Sequence, residues 1–184
     1  MTLFDELAAE VEGFRARGRS LGPPATAEAS QWLHLEARLL DDRRLLDWLD
    51  LCTEDVVYWI PADHDGGDPR KEVSVVLDDR CRLEDRVHWI LSGKSHAQQP
   101  PSRTIRQVTN IEVWSDDEAS GVAAGDRLTR STQVVHELRD AEPRQLVAIV
   151  EHVWRPGTDG WRIRRKRIHL LDSDRHRWNA TFVI

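Results

Sequence analysis

The 184-residue chain has only two cysteines, Cys52 and Cys81. Two thiols build no disulfide framework, and each falls inside a helical pattern, where a small buried apolar residue is expected. Apolar runs are short too, and none approaches the roughly 18 residues a bilayer-spanning helix needs. The N-terminal stretch MTLFDELAAEVEGF carries acids where a secretion signal has a basic start and an apolar centre, so a cytoplasmic protein is expected. Positive charge is in deficit: 26 Lys and Arg stand against 32 Asp and Glu, a formal net charge of −6, which argues against a general nucleic-acid binder. GVAAG at 121–125 lacks a third glycine and opens no helix, so it is no dinucleotide loop, and there is no G-x-S-x-G nucleophile elbow. Tyrosine occurs once, whereas tryptophan occurs eight times, an excess that points to large buried faces in a core or a subunit interface.

What is present is a globular composition, 40% hydrophobic and 32% charged. The length fits one domain over 1–184, with an N-terminal helix and linker over 1–25 and a body over 26–184. Leu3, Leu7, Val11 and Phe14 recur at helical spacing up to Gly18, read as the C′ residue. GPPATAEAS (22–30) breaks that pattern, and Thr26 is the expected cap of a second helix bearing Trp32, Leu33, Leu35, Leu39 and Leu40. Leu45, Trp48, Leu49 and Cys52 make a short third helix after the interruption at Asp41 or Asp42. The period then changes. VVYWIP (56–61) is a continuous apolar run closed by proline, expected as a strand buried on both faces. EVSVVLDD (72–79) is a short strand, and Asp79 caps a helix that Gly93 ends.

Strands dominate from Thr104, which is expected to start a long central strand, IRQVTNIEVW. The next strand pattern, 122–138, has Val122, Ala124, Leu128, Thr132 and Val134 on its more apolar side. LVAIVEHVWR (146–155) and WRIRRKRIHLLD (161–172) follow, joined by the turn PGTDG, and WNATFVI (178–184) is expected as an edge strand. Helices first, then a strongly bent and mostly antiparallel sheet, is the α+β class.

Three ordered blocks carry a resemblance: EARLLDDRRLLDWLDLCTEDVVYWIP (36–61), RLEDRVHWILSG…PPSRTIRQVTNIEV (82–113) and GWRIRRKRIHLLD (160–172). Together they resemble the small (β) subunit of aromatic-ring-hydroxylating dioxygenases, the terminal component of Rieske non-haem iron oxygenases. That resemblance implies a cone-shaped, cystatin-like fold, with helices packed into a curved mixed sheet as in nuclear-transport-factor-like and SnoaL-like proteins. It implies a structural subunit with no catalytic residues of its own. A large (α) subunit would carry the Rieske [2Fe–2S] cluster and the mononuclear non-haem Fe(II). The implied assembly is an α3β3 heterohexamer with β–β contacts. It would receive electrons from NADH through a reductase, with or without a ferredoxin, and cis-dihydroxylate an aromatic ring with O2.

The chain's own residues offer little metal chemistry. A Rieske cluster needs C-x-H and C-x-x-H, and neither cysteine has a histidine two or three residues on. Asp85 and His88 form a D-x-x-H, but Gly93 stands where a further ligand would fall and His96 lies beyond the helix end. In RIRRKR (162–167), strict alternation puts Arg162, Arg164 and Lys166 on one face and Ile163, Arg165 and Arg167 on the other. In an acidic chain this reads as a solvated sheet face or a charged subunit contact rather than a nucleic-acid site. The subunit-interface candidates are Arg103, Thr104, Arg106, Trp114, Trp154, Arg165 and Arg167. In QQPPSRTIR, Ser102 is expected to satisfy backbone groups at the strand entrance, and Arg103 to find a carboxylate or carbonyl in the assembly. The rival reading is a stand-alone isomerase, cyclase or dehydratase of the scytalone-dehydratase kind, with a pocket of Asp42, Tyr58, Trp59 and His88. Each of those four has a plainer role, as helix cap, core (twice) and helix surface.

Overall fold

The computed structural model describes residues 2–63, 68–95, 98–115, 123–173 and 182–184. Helix α1 (Leu3–Arg15) opens with a capping box: the Thr2 hydroxyl accepts from Asp5 N–H while the Asp5 carboxylate accepts from Thr2 N–H at 2.9 Å. It ends at Ala16, so Gly18 lies beyond the C′ position expected of it. Helix α2 (Pro23–Asp41) starts at a proline, whose missing N–H costs nothing in a first turn. Gly22 is its N-cap, and Thr26, the expected cap, lies inside the helix. Helix α3 (Leu45–Asp50) stops before Cys52, which opens strand β1 (Cys52–Pro61) instead of closing the helix.

Strand β2 (Ser74–Asp78) leads into α4 (Arg80–Leu91), where the Asp79 side chain accepts from Arg82 N–H as the cap and Gly93, at φ +68°, follows the last turn. Cys52 is buried, but Cys81 is exposed, because it stands off the Leu83, Val87 and Ile90 stripe of α4. Four long strands complete the chain: β3 (Arg103–Ser115), β4 (Arg127–Arg139), β5 (Glu142–Gly157) and β6 (Gly160–Leu170).

The sheet order is β2-β1-β6-β5-β4-β3, with β1 and β6 parallel and the other neighbours antiparallel. The long strand after Thr104 is therefore an edge, not the centre, since the hairpins β3–β4–β5–β6 walk inward until β6 meets β1. Of the expected last strand, residues 178–181 lie outside the described residues. Phe182–Ile184 form no strand, and Ile184 N–H donates to the Tyr58 hydroxyl at 3.1 Å inside the core.

The two faces of the sheet are covered unequally. On the inner face, Leu33, Leu40, Trp48, Leu83 and Val87 of α2, α3 and α4 pack with Tyr58, Val135, Val150 and Ile168 in the main core. On the outer face, Leu7 and Val11 of α1 meet Val57 and Trp59, while Phe14 meets Trp114, Leu128 and Val153. Burying each such side chain contributes roughly 2 kcal/mol, enough to anchor a short amphipathic helix. Strand β4 turns its more polar side inward: Thr129, Ser131, Gln133, Val135 and Glu137 are buried, whereas Thr132 and Val134 are half-buried on the outer face. Two of those inner polar side chains have partners, with Trp154 Nε1 donating to Thr129 Oγ1 at 2.9 Å and the Ser102 hydroxyl donating to Glu137.

A bulge decides the chemistry of β6. Ile163 pairs with Trp154 and Arg165 with Val153, leaving Arg164 as the extra residue. The side-chain phase shifts at that point, so Ile163 and Lys166 point inward, while Arg164, Arg165 and Arg167 reach partners on the outer face. The solvated face expected for RIRRKR is overturned, for Arg164, Arg165, Lys166 and Arg167 are all buried. At the β5–β6 turn Gly160 adopts φ +128°, and a Cβ there would stand 2.3 Å from Trp32 Cη2. Only glycine lets the indole close over that turn.

Candidate functional site

Helix α2 presents a stripe of Leu33, Glu36, Ala37 and Leu40 to the inner face, with one acid among apolar residues. Glu36 is 1% exposed. Its Oε1 accepts from Lys166 Nζ at 2.8 Å and from Trp48 Nε1 at 3.1 Å. His152 Nε2 stands 3.0 Å from Oε2, although its direction does not meet hydrogen-bond geometry. The Lys166 ammonium also lies over the Trp48 ring at 5.9 Å, and the His152 ring stacks on Trp154 at 4.9 Å. A buried acid is thus shared between a lysine, an indole N–H and an imidazole, and none of the three side-chain charges or dipoles meets water.

Burial opposes every charge in this cluster. It would raise Glu36, but the Lys166 ammonium outweighs it and holds that carboxyl well below the usual range. Burial pulls Lys166 below the ordinary amine range against the attraction of Glu36. The same cause holds His152 below 6.5 despite Glu36, so the imidazole is neutral at pH 7. Burial, with Glu36 nearby, pushes the Cys52 thiol up to about 12, so it is no nucleophile at neutral pH.

A depressed histidine binds its proton more readily when unfolded, so its stabilising effect is complete above about pH 6.5 and is lost as pH falls. Urea unfolding at pH 7.5 and 5.5 should show a loss of up to about 1.4 kcal/mol per pH unit from this group, and His152→Gln should flatten that slope. An unchanged slope in the variant would rule out His152 as the source. The depressed Glu36 adds its own loss only below about 4.5, in the same direction.

On the outer face a second set of charges crosses the sheet. Glu10 of α1 meets Arg164 at 3.0 Å and Arg165 at 3.4 Å, and Asp55 of β1 meets Arg164 at 3.2 Å. Glu151 of β5 takes Arg167 Nε at 2.6 Å and lies 3.6 Å from His169 and 3.8 Å from Arg130. Arg130 continues to Glu112 of β3 at 3.4 Å. Beside this ladder, between the end of α1 and the strands, lies a cavity of about 460 Å³.

The residues of the rival pocket do not converge. Asp42 is the C-cap of α2, and His88 is exposed with its Nδ1 2.9 Å from Glu84 O in its own helix. Tyr58 and Trp59 are adjacent on β1 and point to opposite faces, Tyr58 into the main core and Trp59 against α1. Of the interface candidates, Arg103 is exposed and pairs through its strand with Leu138, its side chain making no hydrogen bond or ion pair among the described residues. Thr104 donates to Asp41 at 2.8 Å, and Arg106 is buried on the same carboxylate. Trp154, Arg165 and Arg167 are buried within the chain, and Trp114, buried too, donates from Nε1 to Gly18 O at 3.2 Å. Ser102 is buried, its N–H donating to Gln98 Oε1 and its hydroxyl to Glu137. His96 lies outside the described residues. Among those residues, no three His, Cys, Asp or Glu side chains are grouped to hold a metal, and no helix is long and apolar enough to cross a membrane.

A family model described as "Ring hydroxylating beta subunit" matches residues 35–175, more than three quarters of the chain. The chain belongs to the ring-hydroxylating β-subunit family. The benzoate 1,2-dioxygenase β subunit of Acinetobacter baylyi is 40% identical over 95 residues, covering 49% of this chain and 56% of the relative. The chain spans just over half the length of the first curated relatives it matches. The structure of the benzoate 1,2-dioxygenase β subunit from Burkholderia mallei superposes with a TM-score of 0.69 at 23% identity, covering 91% of this chain and 99% of that one. An NTF2-like protein with a cystatin-like fold from Novosphingobium aromaticivorans gives 0.52 at 16% identity, covering 79% and 81%. The cone fold implied by the sequence resemblance is therefore the fold observed. Glu36, which opens the first resemblance block, and Lys166, inside the third, turn out to be partners. The signal for Glu36 was an acid on an apolar helical stripe. His152 gave none, because a histidine in an alternating strand carries no mark of which face is buried.

Proposed function

We propose that this β subunit is a non-catalytic scaffold of an aromatic-ring-hydroxylating terminal oxygenase. The observation that carries the reading is the sealed interior, in which Glu36, Lys166 and His152 are at most 1% exposed and lie together in the core, with Lys166 and Trp48 donating to Glu36. An acid–base pair that serves a substrate must reach it, and these groups reach only the protein. The chemistry then belongs to a large partner subunit carrying a Rieske [2Fe–2S] cluster and a mononuclear non-haem Fe(II), in an α3β3 assembly in the cytoplasm. There the ring is cis-dihydroxylated with O2 and electrons from NADH, passed by a reductase with or without a ferredoxin. The β subunit supplies a rigid base, and Arg103, exposed at the entrance of the edge strand β3, offers that assembly a guanidinium. The isomerase, cyclase or dehydratase reading draws no support from its pocket residues, since His88 is exposed and Tyr58 and Trp59 face opposite sides of the sheet.

Purified alone, the chain should contain no iron and show no visible absorbance. Co-expressed with its large subunit, it should elute as one complex with the iron in the larger chain. Stoichiometric iron in the isolated chain would overturn the reading.

A further inference from the structure

We propose that one ordered water molecule is bound in the core between Arg106 Nε and Glu137 Oε2, joining the two side chains in a water-mediated ion pair. Register places the two groups. Thr104 pairs with Glu137, and Arg106 with Val135, across β3 and β4. Arg106 and Glu137 are therefore diagonal neighbours on the inner face, and residues so related stand roughly 7–8 Å apart, within reach of long side chains. Both are buried.

Each side chain has all but one of its polar atoms engaged. Arg106 Nη1 donates to Asp41 and, at 3.0 Å, to Thr104 Oγ1, while Nη2 donates to the Val183 carbonyl. Its Nε is buried and meets no acceptor among the described residues. Glu137 Oε1 accepts from the Ser102 hydroxyl, which in turn accepts from Gln98 Nε2 at 3.0 Å. Its Oε2 is buried and meets no donor among the described residues. One orphan is a donor and the other an acceptor, and leaving either unpaired in the core costs its full desolvation.

A cavity of about 20 Å³ adjoins them, lined by Ser102, Thr104 and Arg106 with Leu40, Leu45 and Ile90. A bound water needs roughly 10–15 Å³ of such space, so the cavity takes one and has no room for two. Arg106 cannot close the gap itself, because Asp41 and Val183 hold both of its terminal nitrogens. Arg144, opposite Glu137 on β5, is engaged by Glu142 at 3.0 Å. A water accepts from Nε and donates to Oε2, meeting both needs. Chloride would also accept from Nε but would be repelled by the Glu137 carboxylate, so the occupant is neutral. The bridge ties Ser102 to the guanidinium that holds the end of α2 and Val183, and so fixes the entrance of β3.

High-resolution crystal structures of the chain and of its Glu137→Gln and Glu137→Met variants test the site. The unmodified chain should show one peak within about 3.2 Å of both Arg106 Nε and Glu137 Oε2. Glu137→Gln, whose carbonyl oxygen still accepts, should keep that peak, and Glu137→Met should lose it. A dry cavity in the unmodified chain would overturn the bridge, and that result needs no variant to fold. A direct contact of Arg106 Nε with Glu137, an Arg144 guanidinium on Oε2, or an anomalous signal identifying chloride would overturn it equally. So would a peak that keeps full occupancy in Glu137→Met, since the water would then depend on Arg106 alone.

Discussion

Replacing Glu36 by Ala should destabilise the chain by about 3–5 kcal/mol and lower its Tm by roughly 10 °C. The side chain is 1% exposed and is the shared acceptor of Lys166 Nζ and Trp48 Nε1. Deleting it leaves an ammonium with no counter-charge and an indole N–H with no acceptor in a region closed to water, and it opens a cavity as well. Lys166 then has two unfavourable choices, to deprotonate or to draw water into the core. Because the loss comes mainly from the stranded charge, adding Lys166→Met to Glu36→Ala should recover a large part of it. Pairs replaced together by apolar residues commonly cost much less than pairs broken singly. Thermal melts of the two variants decide the matter. A loss below about 1 kcal/mol for Glu36→Ala would mean that the interior is wetter than its burial indicates.

Arg106→Ala should cost about 2–4 kcal/mol and, in addition, release the end of the chain. The Arg106 side chain is 1% exposed. Its Nη1 donates to Asp41 Oδ1 and its Nη2 to the Val183 carbonyl, while its backbone N–H donates to Asp41 Oδ2 at 2.8 Å. One residue thereby ties the end of α2 and the edge strand β3 to Phe182–Ile184, with the Phe182 ring 6.0 Å from the guanidinium carbon. Burial pulls the Arg106 pKa down, yet Asp41 opposes that shift and the guanidinium remains charged. Without it, the Val183 carbonyl loses its donor and the contact of Ile184 with the Tyr58 hydroxyl loses its anchor. Hydrogen exchange at the Ile184 amide, which donates to Tyr58 at 3.1 Å, should accelerate far more than exchange in β5. Equal protection at Ile184 in the variant and the parent would remove Arg106 from that role. Lysine is no substitute, because one ammonium cannot hold both acceptors in a planar fork.

Much of the architecture is legible along the chain because it follows from local period. The 3.6-residue spacing of Leu3, Leu7 and Val11, the Asp79 cap and the Gly93 stop give helices near their observed limits. Alternation and the PGTDG turn give the β5–β6 hairpin. Three ordered blocks then carried the family resemblance and with it the cone. Boundaries went astray where two rules competed. Pro23 starts α2 three residues before Thr26 because a proline at the first position is as good a start as a hydroxyl cap. Cys52 fits the apolar spacing of α3, but pairing with β6 claims it for β1.

What the linear chain determined by itself was the family, the helix-then-sheet order and the lack of the Rieske ligand spacing in this polypeptide. Which charges are buried was decided only by the tertiary structure. Alternation along RIRRKR predicts two faces but cannot show that Arg164 is a bulge, or that α1 folds back to place Glu10 against it. Nor can it show that the face of β4 carrying Thr129, Ser131, Gln133 and Glu137 turns inward, since hydropathy favours the other side. Burying a polar group is tolerable only when a partner from a distant segment arrives with it. Glu36 and Lys166 are 130 residues apart, and their pairing exists only in the folded chain.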